Sequence, residues 1–405
     1  VTIVRAARMI DVRSSETIAN AAIRIEDGRI AAAGPLAAVP ANGAQIVDLG
    51  DMTILPGLID MHTHLTSDPL VRPYDSLGRS RTRDALFGVR SAQRTLAAGF
   101  TTVRNVGAPG FIDVDLRDAI EAGEVLGPRM LVSGPPLGIT GGHCDCNLLP
   151  FDAARRDDGV ADGPWALRAK VRENQKFGAD VIKICASGGV LSKGTEPGAE
   201  QLTLDEMTAI VDEAHRGGRR VAAHAHGTRS IRDAILAGVD SIEHASLVDD
   251  EGIALARSRG THFVMDIYDT DFITGEAARL GLVLPESVRK EKALGQTQRE
   301  NFRKAWTAGV KMAFGTDAGV YPHGDNARQF AKMVHYGMQP LDAIRAATIW
   351  AAALLDRAND RGALEPGMHA DLIAVRGNPL DDIAVLEVVA FVMKGGQIVQ
   401  SVLEK

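Results

Sequence analysis

Short runs of β-branched and apolar residues alternate through the middle of the chain with segments whose apolar positions recur at helical spacing. The pattern predicts strands at 54–65, 100–107, 129–137, 179–187, 220–227, 241–246, 261–268 and 311–319. Between them it predicts helices that include 82–98, 204–217, 231–236, 250–259 and 298–308. Gly99, Gly178, Gly218, Gly238, Gly260 and Gly309 stand just past helix ends, where a left-handed cap is wanted. Eight parallel strand–helix units is the count of a (β/α)₈ TIM barrel, an α/β fold. A doubly wound sheet would show fewer strands and a glycine-rich phosphate loop, and the sequence has no such loop.

The two ends have a different rhythm. Residues 1–53 alternate as short strands with turns at Glu26-Asp27-Gly28 and Ala33-Gly34-Pro35. Residues 362–402 do the same around Leu364-Glu365-Pro366-Gly367 and Lys394-Gly395-Gly396. Neither end has the apolar mass to stand alone. The expected organisation is therefore one small β-sandwich built from 1–54 and 360–405, with a catalytic barrel over 55–359 inserted between its halves. No repeat longer than the strand–helix alternation and no low-complexity linker interrupts this plan.

Composition narrows the function classes. The 405 residues are 45% apolar and 24% charged, which is globular and not disordered. A formal charge of −7 supplies no basic footprint for nucleic acid and no attraction to an anionic membrane surface. No apolar run approaches the roughly 18 residues of a membrane span. Three cysteines cannot form a disulfide framework, and Cys144 and Cys185 are expected to be buried inert thiols. The chain begins Val1-Thr2-Ile3 without Met or a recognisable leader. The compartment therefore stays open between cytoplasm and, if a leader preceded Val1, periplasm or exterior.

Chemistry in a TIM barrel sits at the C-terminal ends of the strands. His62 and His64 close the first predicted strand as His-Thr-His, on one face. His224 closes the fifth, His244 the sixth, and Asp317 the eighth, in Gly315-Thr316-Asp317. His143 follows the third in Thr140-Gly141-Gly142-His143, and Lys183 lies inside the fourth, in Val181-Ile182-Lys183-Ile184-Cys185. Each histidine alone could be a hydrogen-bonded structural residue, and Asp317 could cap a loop. An ammonium inside an apolar strand is costly without a partner or a chemical change. Gathered at one end of one barrel, these nitrogen and oxygen donors suit zinc or a similar divalent ion.

The whole chain resembles the amidohydrolase superfamily in its two-metal form. The match is carried by Leu55-Pro56-Gly57-Leu58-Ile59-Asp60-Met61 before the His-x-His and by Gly315-Thr316-Asp317. Gly141-Gly142-His143-Cys144-Asp145, Ile182-Lys183-Ile184-Cys185-Ala186, Glu243-His244-Ala245-Ser246 and Tyr321-Pro322-His323-Gly324-Asp325-Asn326 are similar to one branch. That branch holds metal-dependent dipeptidases and carboxypeptidases related to imidazolonepropionase. It includes enzymes that release C-terminal Arg or Lys, and amidohydrolases that cleave ochratoxin A to ochratoxin alpha and phenylalanine.

The resemblance implies two divalent metal ions, most often Zn²⁺. His62 and His64 would bind the more buried ion, His224 and His244 the more exposed one, and an N6-carboxylated Lys183 would bridge both. Two dications, one carbamate, the Asp317 carboxylate and one hydroxide leave a charge of about +1, against about +2 without the carbamate. Asp317 would bind the first ion and shuttle the proton, and His143 would stabilise the oxyanion. His226 shares a face with His224 and is a candidate substrate contact. Arg229, Arg232 and His323 are candidates for a substrate carboxylate, and the loop Tyr268-Asp269-Thr270-Asp271-Phe272, which combines aromatics with two acids, for a cationic (Arg or Lys) or aromatic side chain. Prolidase-like relatives carry a tyrosine at the His226 position, which argues against strict Xaa-Pro specificity. The implied partner is a small peptide or N-acyl amino acid, and the implied assembly a homo-oligomer, octamers included. The competing activity is a cyclic amide hydrolase or deaminase of the same superfamily. One-metal members of that group need no lysine on the fourth strand, so Lys183 argues against them. A non-enzymatic scaffold that has lost its ligands fits poorly with an intact set.

Overall fold

The computed structural model describes residues 1–153 and 155–401, so the last residues of the expected end domain, 402–405, lie outside the described residues. The chain opens with β1 (Thr2–Ile10), β2 (Thr17–Glu26), β3 (Arg29–Pro35), β4 (Gln45–Asp48) and β5 (Met52–Pro56). Next come β6 (Leu58–Thr63), β7 (Phe100–Asn105), β8 (Arg129–Val132), β9 (Val181–Cys185), β10 (Arg220–Ala225), β11 (Ser241–His244) and β12 (His262–Val264). The last strands are β13 (Leu372–Arg376), β14 (Val389–Lys394) and β15 (Gln397–Ser401).

The two ends meet as their patterning requires. β5 pairs parallel with β1, Arg8 opposite Thr53, and antiparallel with β13, Ile54 opposite Ala374. The result is one eight-stranded sheet in the order β15-β14-β13-β5-β1-β2-β3, with β4 added to β1. The predicted strand over 54–65 is two strands in the structure. Its first half belongs to this sheet and its second enters the barrel. The break is Gly57, where a Cβ would run into the Thr101 side chain.

The barrel consists of two parallel arcs, β6-β7-β8 and β9-β10-β11-β12. A bridge between Leu137 and Ile184 joins β8's extension to β9. The eighth segment bridges β12 through Met312–Phe263 and β6 through Ala318–Thr63. It forms no regular strand between those bridges, because Asp317 takes a left-handed backbone (φ 54°) beside Gly315, where a Cβ would collide with Val264. β6, β7, β9 and β11 are buried along their whole length. That is the consequence of a parallel sheet filled inside and covered outside by helices.

Helix Asp250–Arg259 has the predicted bounds: the Asp249 carboxylate accepts from Gly252 N–H at 2.9 Å, and Gly260 ends it in the left-handed region. The helix predicted over 298–308 is longer than its pattern, running Pro285–Thr307. Its first half buries Ser287, Lys290 and Glu291 in place of an apolar stripe, so hydrophobic spacing does not reveal it.

Candidate metal centre

β6 places His62 and His64 side by side at its end, and hydrogen bonds fix one nitrogen of each ring. His62 Nδ1 lies 2.9 Å from Glu243 Oε2. That carboxylate is itself held by Arg104 at 2.7 Å and Ser241 at 2.5 Å. A carboxylate only accepts, so Nδ1–H donates and Nε2 keeps a lone pair. His64 Nδ1 donates likewise to the Gly107 carbonyl at 3.2 Å. The two free Nε2 atoms stand 3.4 and 3.2 Å from Asp317 Oδ1, an oxygen without a hydrogen-bond partner. Three acceptor atoms facing one another with no donor between them fit a cation.

A second group is built from β10 and β11. His224 Nε2 donates to the Gly188 carbonyl at 3.1 Å, leaving Nδ1 free. His244 Nδ1 donates to Asp266, 2.8 and 2.9 Å from its two oxygens, leaving Nε2 free. Gln298 steadies that carboxylate at 3.2 Å. Ligand atoms of His224, His226 and His244 lie within 4.8 Å of one another, as do those of His62, His64 and Asp317 and of His244, Asp266 and Asp317. The rings of His62 and His244 are 5.0 Å apart, so the groups form one centre. Burial lowers His244 to about 3 and His224 well below its usual value, so both are neutral near pH 7. His244 and Asp317 both take left-handed backbones, φ 70° and 54°. Such conformations cost of order 1–3 kcal/mol each and collect where function requires them.

Lys183 points into the same space from the middle of β9. It is 3% exposed, and its Nζ has no hydrogen bond or ion pair among the described residues. Burial lowers its amine to about 8. His143 stacks on His224 with centroids 4.1 Å apart, and its Nδ1 is 2.8 Å from Ser192 Oγ. His226 stacks on His244 at 4.7 Å and holds Ser246 Oγ at 2.7 Å. All of these residues line one cavity of about 570 Å³. Its outer wall carries Val190, Leu191, Ile273, Leu282 and Val283.

The remaining sequence candidates are placed elsewhere. Arg229 is 73% exposed, with its guanidinium 3.5 Å from Glu200 and 3.6 Å from Asp233, and it does not line the cavity. Arg232 is consumed by Asp249 and Glu251. His323 is buried behind β6, its Nε2 3.2 Å from the Ser67 carbonyl. Tyr268 packs edge-on against Tyr321 and accepts a hydrogen bond from Arg328 at 3.0 Å. Helix spacing and loop position cannot tell which side chains reach the cavity, and these four do not line it. The cysteines also depart from expectation. Cys144 is joined to Cys185 in a disulfide, and Cys146 is free, because the His143 loop folds back over the end of β9. Sequence reasoning missed Asp60, Arg104, Glu243 and Asp266, all buried around the centre. Their signal was the one that exposed Lys183, an ionisable residue within or closing an apolar strand.

The chain matches the Amidohydrolase family over residues 53–399. It is 35% identical to an ochratoxinase of Aspergillus niger, over 98% of this chain and 86% of that one. A Xaa-Pro dipeptidase solved with bound methionine superposes with a TM-score of 0.92 and 39% identity, over 98% of this chain and 99% of that one. A prolidase solved with N-methylphosphonate-L-proline superposes at 0.90 and 32% identity, over 99% of both chains. Family match, barrel and buried donor set agree: the chain belongs to the amidohydrolase family and is a hydrolase of amide bonds.

Proposed function

We propose that the protein holds two divalent metal ions, most readily zinc, and hydrolyses the amide bond to a C-terminal amino acid in a dipeptide or N-acyl amino acid. The observation that carries this reading is the set of lone pairs converging on one cavity. His62, His64 and Asp317 would hold one ion and His224 and His244 the other, and Lys183, converted to a carbamate, would supply an anionic oxygen donor to the pair. An amine near 8, buried and without a partner, has a neutral fraction at physiological pH that can add to CO₂. Divalent ions held there supply Lewis acidity, which activates water near neutral pH and polarises a scissile carbonyl.

The protein's own groups do the rest. Asp317 accepts the proton of the attacking water and delivers it to the leaving nitrogen. With Ser192 Oγ–H donating to His143 Nδ1, the His143 Nε2–H is left to stabilise the developing oxyanion. His226 shapes the wall beside His244. Arg79 lines the cavity with Nε on Asp84 at 2.7 Å and Nη1 on Asp68 at 3.4 Å, and only its buried Nη2 lacks a partner that the free carboxylate could supply. The relatives named ochratoxinase, Xaa-Pro dipeptidase and prolidase support a peptide-like substrate. The wide, apolar outer wall supports a bulky acyl group such as that of ochratoxin A. A panel of N-acyl amino acids, dipeptides, ochratoxin A and cyclic amides tests the reading. Free amino acid is expected from the first three. Turnover of cyclic amides alone would move the enzyme to the lactam hydrolases.

A further inference from the structure

The disulfide between Cys144 and Cys185 stands inside the site, and the hydrolytic chemistry makes no use of it. Cys144 is the residue after His143. Cys185 lies two residues beyond Lys183 on β9, so the two side chains leave the strand on the same face. The bond therefore ties the loop that carries the oxyanion donor to the strand that carries the lysine. Both cysteines line the cavity, Cys144 half-buried and Cys185 2% exposed. Reagents that enter as substrate does can reach the pair.

The loop has a composition that depends on such a tie. Its root is paired with β9: Leu137 N–H donates to the Lys183 carbonyl at 2.8 Å, and Cys185 N–H to the Leu137 carbonyl at 2.9 Å. Residues 138–143 then read Gly-Ile-Thr-Gly-Gly-His, three glycines in six positions, and glycine leaves a chain the most freedom to lose on ordering. At the far end His143 N–H donates to Gln201 Oε1 at 2.9 Å, and His143 Nδ1 meets Ser192 Oγ at 2.8 Å. Both partners belong to the irregular segment between β9 and helix Leu204–Arg216. The disulfide is the covalent link from the loop tip to a barrel strand. It packs on the loop's own backbone, since a Cβ at Gly138 would stand 3.1 Å from Cys144 Cβ and 3.7 Å from Cys185 Cβ.

We propose that the Cys144–Cys185 disulfide is a redox-sensitive tether that sets the placement of His143, so that its reduction by small thiols slows hydrolysis. This rests on the reading of His143 as the oxyanion donor. The thiolate of an external thiol such as glutathione attacks Sγ of Cys144, the less buried of the two residues. The S–S bond breaks, and Cys185 leaves as a thiolate and takes a proton. A second external thiolate releases Cys144 from the mixed disulfide, Cys144 takes a proton, and the two external sulfurs depart joined to each other. Two electrons and two protons enter the protein, and the external disulfide reverses the sequence. Cys146 is a free thiol on either side of the exchange.

Kinetics on an N-acyl amino acid in glutathione buffers, from fully oxidised to fully reduced, test this, with thiols and metal counted on the same samples. Free thiols are expected to rise from one to three per chain. Over that change kcat is expected to fall by about tenfold or more, part of the 10²–10³ that loss of an oxyanion donor costs. KM and metal content are expected to hold, and re-oxidation to restore the rate. Cys144→Ser and Cys185→Ser are expected to show the reduced rate in every buffer, and Cys146→Ser to keep the response. Three thiols per chain in the oxidised buffer, or a loss of rate that follows loss of metal, would overturn the tether. So would a constant rate across the series when His143→Ala is itself slow. If His143→Ala is as fast as the wild type, or no amide is cut, the oxyanion reading has failed and hydrogen exchange over residues 138–144 decides instead. Faster exchange in the reduced protein would support the tether, and equal exchange would overturn it.

Discussion

Asp317 and Lys183 carry the heaviest chemical demands, and isosteric or truncating changes separate their roles. Asp317→Asn keeps an oxygen for the metal but cannot take a proton. It is expected to retain metal while kcat falls by about 10²–10⁴, the usual share of general acid–base catalysis, read by metal analysis beside single-turnover rates. The carboxylates behind the histidines act through orientation. Glu243→Gln and Asp266→Asn exchange an acceptor for a group that can present its amide to Nδ1 of His62 or His244. Metal affinity is expected to drop by about 10–100-fold, measured by competition with a chromophoric chelator. Unchanged affinity in both would mean that the ring orientations are set by packing alone. The histidines, Lys183 and Asp317 were legible in the sequence because each stands at or within a predicted strand end. Their buried partners Asp60, Arg104 and Glu243 were not, since they stand inside the strands, where position alone does not mark a group near the strand end.

Elements were read well where the burial pattern is simple. Helix Asp250–Arg259 has a capping aspartate, a helical stripe and a terminal glycine, and all three signals agree. Helix Pro285–Thr307 lost its first half because its inward face is polar where it meets the cavity. The eighth strand was predicted as regular, yet two isolated bridges are what remain once Asp317 adopts a positive φ. Gly57 separates β5 from β6 and packs against Thr101, so Gly57→Ala overpacks a junction with little room to relax. A loss of about 1–3 kcal/mol is expected, seen as a lower denaturation midpoint. Thr101→Ala in the same chain is expected to restore part of it, whereas full stability in Gly57→Ala alone would contradict this packing.

At the scale of the whole molecule, both ends of the chain share one sheet that is tied to the barrel. Arg129 of β8 reaches the end sheet through Asp371, 2.9 and 3.3 Å from its oxygens, and Asp371 also accepts from Gly395 N–H at 2.6 Å. Asp371→Ala leaves those donors unpaired, and a loss of about 1–3 kcal/mol is expected, measured by denaturant unfolding. The pairing of the two ends was visible in their shared short-strand rhythm. The cavity wall was not visible, because loops from distant strands assemble it and loop side chains carry no periodic mark of direction. That is why Arg229 and Tyr268 were candidates while Arg79 emerged only in three dimensions.

In the proposed reading a lysine-bridged pair of metals cuts an amide next to a free carboxylate. Metal content and amino acid release from an N-acyl amino acid, measured on the same samples of wild type and Lys183→Ala, test it most directly. About two ions per chain with release of the amino acid are expected for the wild type, and loss of both in the variant. Two ions and an undiminished rate in Lys183→Ala, or full wild-type turnover with a single ion, would contradict it.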